Sequence, residues 1–423
     1  MSTPYARRAL LCSLSMTVVA CHAGGLSPTP AAAAASSAAV RADITYLASE
    51  ALAGRETGTP GNDSAAAYLR RRYAAIGLSP VMQTFNAQSM EAAHAGLPSS
   101  LPTQNVFAIV WGRDATRRSQ YLVVGAHFDH LGRSSFGALD PDAKGVIRPG
   151  ADDNASGTAA VLELARIFAE RPAARSIVFV NFTGEELGLL GSAYFVEHPP
   201  VSLDSVTAMI NFDMVGRLRN DRLIVYGDSS ADEMPSIVRD ANVAPALTIS
   251  AIADGFGPSD QSSFLAKNIP VLHLFTDVHE DYHRASDVAG KINADGEARV
   301  IDYAARVIRS IADRPARLTF HRVATRQTAS GASGYGSAYF GSIPDMGATD
   351  ASGLRLTGVR EGSPADKAGI RAGDVLVEFG GLAIKDLYVF TDALRAHKPG
   401  DVVDIVIQRG GERLRLTATL GTR

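Results

Sequence analysis

The chain has little cysteine: only Cys12 and Cys21 occur in 423 residues, both near the start. A disulfide scaffold is therefore excluded. It also lacks a marked excess of either charge, with 41 Lys and Arg against 44 Asp and Glu for a formal net charge of −3. No basic run breaks that balance, so nothing in the sequence points to nucleic acid or to an anionic membrane surface. Internal repeats are absent. What the chain does have is 46% hydrophobic and 20% charged residues, the mixture of a globular protein rather than a disordered one. Its length is long for one domain and comfortable for two.

The first residues read as a leader. Arg7 and Arg8 precede the apolar stretch ALLCSLSMTVVA (9–20), which has signal-peptide length and is too short to span a bilayer as a helix. Val18-Val19-Ala20-Cys21 resembles a bacterial lipobox, in which Cys21 would be lipidated and become the first mature residue. Ordinary secretory cleavage near Ala23 is the alternative. The boundaries that follow are a signal peptide at 1–21 and an Ala/Pro-rich linker at 22–40 that serves as a flexible tether. The expected location is extracytoplasmic: the bacterial periplasm, membrane-anchored as a lipoprotein, or secreted.

Beyond the tether, 41–78 is expected to be helical, with AAAYLRRRYAAIGL (65–78) carrying apolar residues at helical spacing and GRETGTPGND (54–63) interrupting before it. Segment 86–103 reads as a loop. Apolar strand-like runs then alternate with helix-like stretches. The runs lie at 105–112, 121–127, 176–182, 208–215, 223–227 and 269–276, and the helices at 157–170 and 298–313. The expected fold is α/β, a mostly parallel central sheet with helices on both faces. Such sheets collect ligands outside the carboxyl ends of their strands.

Five positions fall at or just past those ends: His127 in LVVGAHFDHLG, Asp153 in PGADDNASG, Glu185-Glu186 in FVNFTGEELG, Asp213 in INFDMVG and His283 in DYHRASD. Two imidazoles and at least three carboxylates suit two divalent cations sharing one carboxylate, with one acid left as a base. Each position also has a plainer reading. His127 with Asp129 two residues on could be a satisfied core histidine beside a surface acid. Asp153, Asn154 or Ser156 could simply cap the helix starting near Gly157. Glu185 and Glu186 could be solvated charge. Asp213 sits in an otherwise apolar run, where an acid is rare unless paired or ligating. His130 is an additional imidazole, read as structural or as an outer partner rather than a ligand.

In this order and with these flanks, the motifs resemble the M28 family of zinc aminopeptidases, the co-catalytic di-zinc exopeptidases. The resemblance runs from about Asp43 to Asp313 and includes YLASEALAGRETGTPG. It implies that His127 and Asp213 bind one of two zinc ions, that Glu186 and His283 bind the other, and that Asp153 bridges them. It further implies that Glu185 is the general base, Asp129 the outer partner of His127, and Tyr282 a stabiliser of the oxyanion. The implied activity is removal of N-terminal residues from peptides with a free N-terminus, by a metal-bridging water that Glu185 activates. Cobalt or manganese could replace zinc at such a site. In SDQSSFLAKNIP (259–270), Gln261 stands where many relatives carry His, which bears on pocket shape.

After a linker at 314–335, residues 336–423 resemble a PDZ domain of the bacterial type, carried by YFGSIPDM (339–346), GVREGSPADKAGIRAGDVLVEFGG (358–381) and PGDVVDIVIQRGGE (399–412). The resemblance implies a small β-rich domain that adds a peptide as a strand, its C-terminus held at the loop Tyr339, Phe340, Gly341 and Ser342. A module that only packs on the catalytic domain (41–313) is the alternative. Three further readings of the chain stay open: a carboxypeptidase or dipeptidase, a glutaminyl cyclase-like enzyme of the same fold, and a non-catalytic peptide-binding lipoprotein.

Overall fold

The computed structural model describes residues 1, 34–88, 100–134, 137–140, 143–255, 257, 259–321, 338–344, 353–359, 362–385, 389–390, 393–394 and 396–422. The leader 1–21 with Cys21, the tether up to residue 33 and the linker stretch 322–337 lie outside the described residues, apart from residue 1.

Helices α1 (Ser37–Leu47) and α2 (Pro60–Ala75) open the body. Ser36 caps α1 by accepting the Ala39 N–H, and Thr59 does the same for α2, where Pro60 sits in the first turn that tolerates its missing N–H. The elements that follow are β1 (Val81–Gln88), β2 (Ser100–Val110), β3 (Tyr121–His127), α3 (Gly157–Glu170), β4 (Ser176–Phe182), α4 (Leu190–Glu197) and β5 (Val206–Phe212). After them come β6 (Arg222–Tyr226), α5 (Met234–Asp240), β7 (Thr248–Ile252), α6 (Gln261–Leu265), β8 (Val271–Phe275) and α7 (Ala294–Ala312).

The eight strands form one sheet in the order β1-β2-β4-β3-β5-β8-β6-β7. Its centre, β4-β3-β5-β8, is parallel. All of β4, β5 and β8 is buried, as the continuous apolar runs require. Alternate residues serve opposite faces. Leu122, Val124, Ile177, Phe179 and Ile210 pack under α1, α2, α3, α5 and α7. Val123, Val178, Val180 and Met209 meet Phe195 of α4 and Phe264 of α6 on the other face. The α/β architecture with both faces covered is thus as expected from the sequence.

Several boundaries differ. Residues 37–40, assigned to the tether, form the first turn of α1. The ends of the expected 86–103 loop are strand, because β1 and β2 pair antiparallel from Val81↔Phe107 to Gln88↔Ser100. Both flanks of the sheet carry antiparallel pairings, β2 on β4 and β6 on β8. The expected linker at 314–335 begins late: Thr319 and His321 still bond to the body, through Asp232 N–H to the Thr319 carbonyl and His321 N–H to the Ser230 carbonyl.

The C-terminal unit is β-rich, as expected. It comprises β9 (Ala338–Tyr339), β10 (Ser342–Pro344), β11 (Leu354–Val359), α8 (Pro364–Lys367), β12 (Val375–Phe379), β13 (Leu382–Ala383), β14 (Val402–Arg409), β15 (Glu412–Thr419) and β16 (Gly421–Thr422). It has its own core, in which Phe379 meets Phe340 and Phe390 edge-on, ring centroids 5.1 and 5.2 Å apart. Strand β10 lies at the end of the order β10-β11-β12-β14-β15. No described helix is long and apolar enough to cross a membrane.

Candidate metal centre

The parallel strands deliver side chains to one end of the sheet. His127 is the last residue of β3, Asp213 follows β5 directly, and Glu185 and Glu186 come three and four residues after β4. Asp153 stands in the tight turn Ala151–Ser156 that leads into α3, and His283 in the loop after β8. The structure brings all of these together.

The turn shows why Asp153 is available. Its backbone and that of Asn154 depart from helical angles, and the peptide between them is cis. Asn154 does the capping: its Oδ1 accepts the Gly157 N–H at 2.9 Å and the Met214 N–H at 3.2 Å. Ser156 instead donates its hydroxyl to the Asp152 carbonyl. The Asp287 carboxylate accepts the N–H groups of Asp152 and Asp153 at 2.9 to 3.1 Å. Asp152 is used up in support, accepting the Gly216 N–H at 2.7 Å and lying 3.0 Å from His279 Nε2. Asp153 is left with both oxygens turned inward.

Those oxygens face different imidazoles. Asp153 Oδ1 is 3.4 Å from His127 Nε2, and Oδ2 is 3.0 Å from His283 Nε2. On one side, Asp213 Oδ1 lies 3.5 Å from His127 Nε2. On the other, Glu186 Oε2 lies 3.3 Å from His283 Nε2. Each imidazole has its second nitrogen engaged: His283 Nδ1 is 2.8 Å from the Gly137 carbonyl, and His127 Nδ1 is 3.2 Å from the Asp129 carbonyl. Both Nε2 atoms are thereby presented inward. His127 and Asp153 are buried, whereas the side chains of Asp213 and His283 stay 15% and 13% exposed, which leaves an approach from solvent.

The donors also cluster in two other combinations: His127, Glu185 and Asp213, and His130, Asp153 and Glu186, each with ligand atoms within 4.8 Å of one another. Carboxylates crowded on imidazole nitrogens in a buried pocket need positive charge. The donor chemistry of these residues, mixed N and O, therefore fits divalent zinc.

Charge effects separate the acids. Burial and the charges of Glu186, Asp213 and Asp260 push Glu185 well above its ordinary range, against the pull of His127. Burial would raise Glu186 too, but His283 and His130 hold it well below. Burial alone would lower His127 and His283, yet the facing carboxylates hold both well above the ordinary imidazole value. Two adjacent glutamates are thus driven in opposite directions, one toward holding a proton and one toward staying ionised.

Asp129 sits where expected but is engaged differently. The contact to His127 at hydrogen-bond distance is the Asp129 main-chain carbonyl, and its carboxylate stands off at 3.6 Å. That carboxylate accepts the Thr57 hydroxyl at 2.9 Å and the Glu185 N–H at 3.2 Å, so it holds the base's backbone. Tyr282 stacks on His283, with ring centroids 3.8 Å apart. Gln261 accepts from the Asn211 amide, which also reaches Ser259 and His273 Nδ1. Ser259 in turn donates to Asp213 at 2.8 Å.

Sequence reasoning missed Arg55. It is fully buried, and its guanidinium donates to the carbonyls of Phe128 (2.7 Å), Leu47 (2.6 Å), Pro149 (2.6 Å) and Gly150 (2.9 Å). It ties the end of β3 to the turn that carries Asp153. Read locally, GRETGTPG signals only a turn. His130, read as structural or an outer partner, has Nδ1 2.8 Å from Glu186 Oε1 and 3.8 Å from Asp153 Oδ2. Gly150 makes room for it: at φ +59°, a Cβ there would stand 2.5 Å from the His130 ring and 2.2 Å from the Asp153 carbonyl oxygen.

Residues 105–308 match the model for peptidase family M28, and residues 339–420 the model for the PDZ domain. Leucine aminopeptidase 2 of Trichophyton rubrum is 28% identical over 248 residues, 51% of this chain and 47% of that protein. The chain spans less than half the length of the curated relatives it matches. The solved aminopeptidase from Aneurinibacillus sp. strain AM-1 superposes with a TM-score of 0.54 at 18% identity, covering 68% of this chain and 97% of that one. Porphyromonas gingivalis glutaminyl cyclase gives 0.56 at 19%, covering 66% and 99%. At those identities the solved structures speak for the fold alone.

Proposed function

For a chain that carries a peptidase family M28 domain and, after it, a PDZ domain, we propose the activity of a di-zinc aminopeptidase acting on peptides with a free N-terminus. The observation that carries this reading is Asp153, whose two oxygens face two different imidazoles. His127 and Asp213 would hold one ion, Glu186 and His283 the other, and Asp153 would join them. Bound zinc would polarise the scissile carbonyl and make a water acidic enough to attack near neutral pH. Glu185, raised by burial and its acidic neighbours, takes the proton from the attacking water and returns it to the leaving amine. The Asp129 carboxylate fixes the Glu185 backbone while the Asp129 carbonyl orients His127. Tyr282, stacked on His283, donates to the developing oxyanion.

Two readings outside the body accompany this one. The edge strand β10 and the Phe340–Gly341 turn before it suit capture of an extended peptide end. The leader and Cys21 support an extracytoplasmic, membrane-tethered protein, which the mass of the mature N-terminus would test.

The deciding experiment combines metal analysis with a panel of aminoacyl-anilides, N-blocked peptides and an N-terminal glutaminyl peptide. We expect two metals per chain and hydrolysis of free-N-terminal substrates only. Glu185→Gln should keep both metals and lose about 10²- to 10⁴-fold in turnover. Wild-type activity in that variant would remove Glu185 as the base. Full activity after metal stripping would sink the metal reading, and cyclisation of the glutaminyl peptide with one metal bound would favour the cyclase.

A further inference from the structure

The end of the sheet opposite the metal centre gathers arginines that are scattered in the sequence. Arg113, Arg117 and Arg118 lie in the loop between β2 and β3. Arg171 and Arg175 lie between α3 and β4. Arg309 is on the last turn of α7, and Arg314 and Arg317 follow it. Direct bonds tie these segments together. Arg113 donates to the Pro172 carbonyl, Arg117 to the carbonyls of Asp313 and Arg314, Arg175 to the Ile311 carbonyl, and Arg309 to the Arg171 carbonyl. Arg317 binds the carbonyls of Asp204 and Val206, at the start of β5.

Most of these partners are neutral carbonyls, several of them at helix ends. They satisfy donors and complement the helix dipoles without neutralising the guanidinium charge. Among the described residues, the carboxylates paired with the cluster are Asp114 on Arg117, Asp313 on Arg113 and Arg309, and Glu233 on Arg314, with the exposed Asp204 and Glu170 at the margin. Among the described residues, Arg113, Arg117, Arg118, Arg309, Arg314 and Arg317 thus share three paired carboxylates, in a chain whose formal net charge is −3. Arg175 is buried beneath, and burial together with the charges of Arg117, Arg317 and Arg314 lowers its pKa.

An apolar feature adjoins this patch. Trp111, the only tryptophan of the chain, is 53% exposed, and Val81 is 46% exposed. They line a groove of about 440 Å³ with Leu78, Ile109 and Pro172. Arg118 lies 5.7 Å over the Trp111 ring. An exposed indole flanked by guanidiniums is the chemistry of a membrane interface, where the ring enters the headgroup layer and the cations meet phosphates. The described chain also enters the body nearby. Ala34 and Ser36 bond to Arg166 and Glu163 of α3, about 12 Å along that helix from Arg171 at 1.5 Å per residue.

We propose that this arginine-rich pole, with Trp111 at its edge, docks the protein on an anionic phospholipid surface. The seven residues of β3 separate patch from site, so docking holds the metal centre about 20 Å away and facing solvent. The inference stands independently of the enzymatic reading.

The test uses the full chain with Cys21→Ser, so that no lipid anchor contributes. The probes are vesicles of phosphatidylcholine alone and of phosphatidylcholine mixed with phosphatidylglycerol. The expected result is co-sedimentation and a blue shift of the single tryptophan with the anionic vesicles only. At ~1 M salt, where the Debye length is about 3 Å, both should be lost. Arg113→Gln, Arg118→Gln and Arg317→Gln together should lower partitioning on the order of 100-fold, about five-fold each, with the circular dichroism of the folded chain and its peptide hydrolysis retained. Equal binding to neutral vesicles, or a triple variant that binds like the parent, would overturn the proposal. So would binding to RNA without binding to anionic vesicles.

Discussion

Replacing Arg55 by Met tests what holds the metal turn in place. Met keeps much of the stem and removes the donors that reach the buried carbonyls of Leu47 and Phe128 and the part-buried one of Pro149, while the Gly150 carbonyl still accepts the Ala155 N–H. Each orphaned acceptor costs about 1–3 kcal/mol. Against this stands the desolvation of the guanidinium, which burial makes large enough to hold its pKa down to about 10. Removing one side of a buried charged network typically costs 3–5 kcal/mol, so we expect a net loss of about 4 kcal/mol. At roughly 2–4 °C per kcal/mol in a domain of this size, the melting temperature should fall by about 8–16 °C. Arg55→Lys keeps the charge on a single point donor and should lose about half as much. Thermal unfolding followed by circular dichroism, with metal content measured in parallel, reads both effects. The reasoning fails if Arg55→Met melts within about 2 °C of the parent and retains its metal.

The remaining predictions concern neighbours of the site. His130→Ala removes the imidazole beside Glu186 and should weaken metal binding about 10- to 100-fold in chelator competition; unchanged affinity would return His130 to a packing role. His273 accepts the Asn211 amide at Nδ1, and burial holds its pKa down to about 4 from 6.5. Between those values the unfolded chain binds a proton that the folded chain refuses, so stability should fall as pH drops from 6.5 to 4, by up to ~3 kcal/mol. Urea unfolding at both ends of that window should show this slope in the parent and a reduced slope in His273→Gln; equal slopes would exclude His273 as the cause.

The central strands were legible because burial on both faces leaves an unbroken apolar run: β3 and β4 fall where 121–127 and 176–182 predicted them. The edges were not. β1 and β7 are half-exposed and carry mixed residues, so their pairing is set by neighbours that a local window does not contain. Helix α6 has five residues, too few for periodicity to register. At the site, His127, Glu185, Glu186 and Asp213 were readable because they end or closely follow strands, whereas Asp153 and His283 were readable only from the motifs around them. Their supports were not, since Arg55 reaches Pro149 across 94 positions and Asp287 reaches Asp152 across 135. Likewise the arginine pole has no basic run behind it, because three separate segments contribute to it.

The place of β8 in the sheet governs when a metal can be held. It lies between β5 and β6, although both precede it in the chain. A nascent chain that has folded through β6 therefore has an open slot, and it still lacks His283. The donors span His127 to His283, so no early fragment of the body gathers both imidazoles around Asp153. An ion held by both imidazoles would then be captured only after β8 has entered the slot. Contacts made that late stabilise the finished fold without stabilising the transition state that leads to it, so a bound ion would lengthen the lifetime of the native protein without hastening its formation.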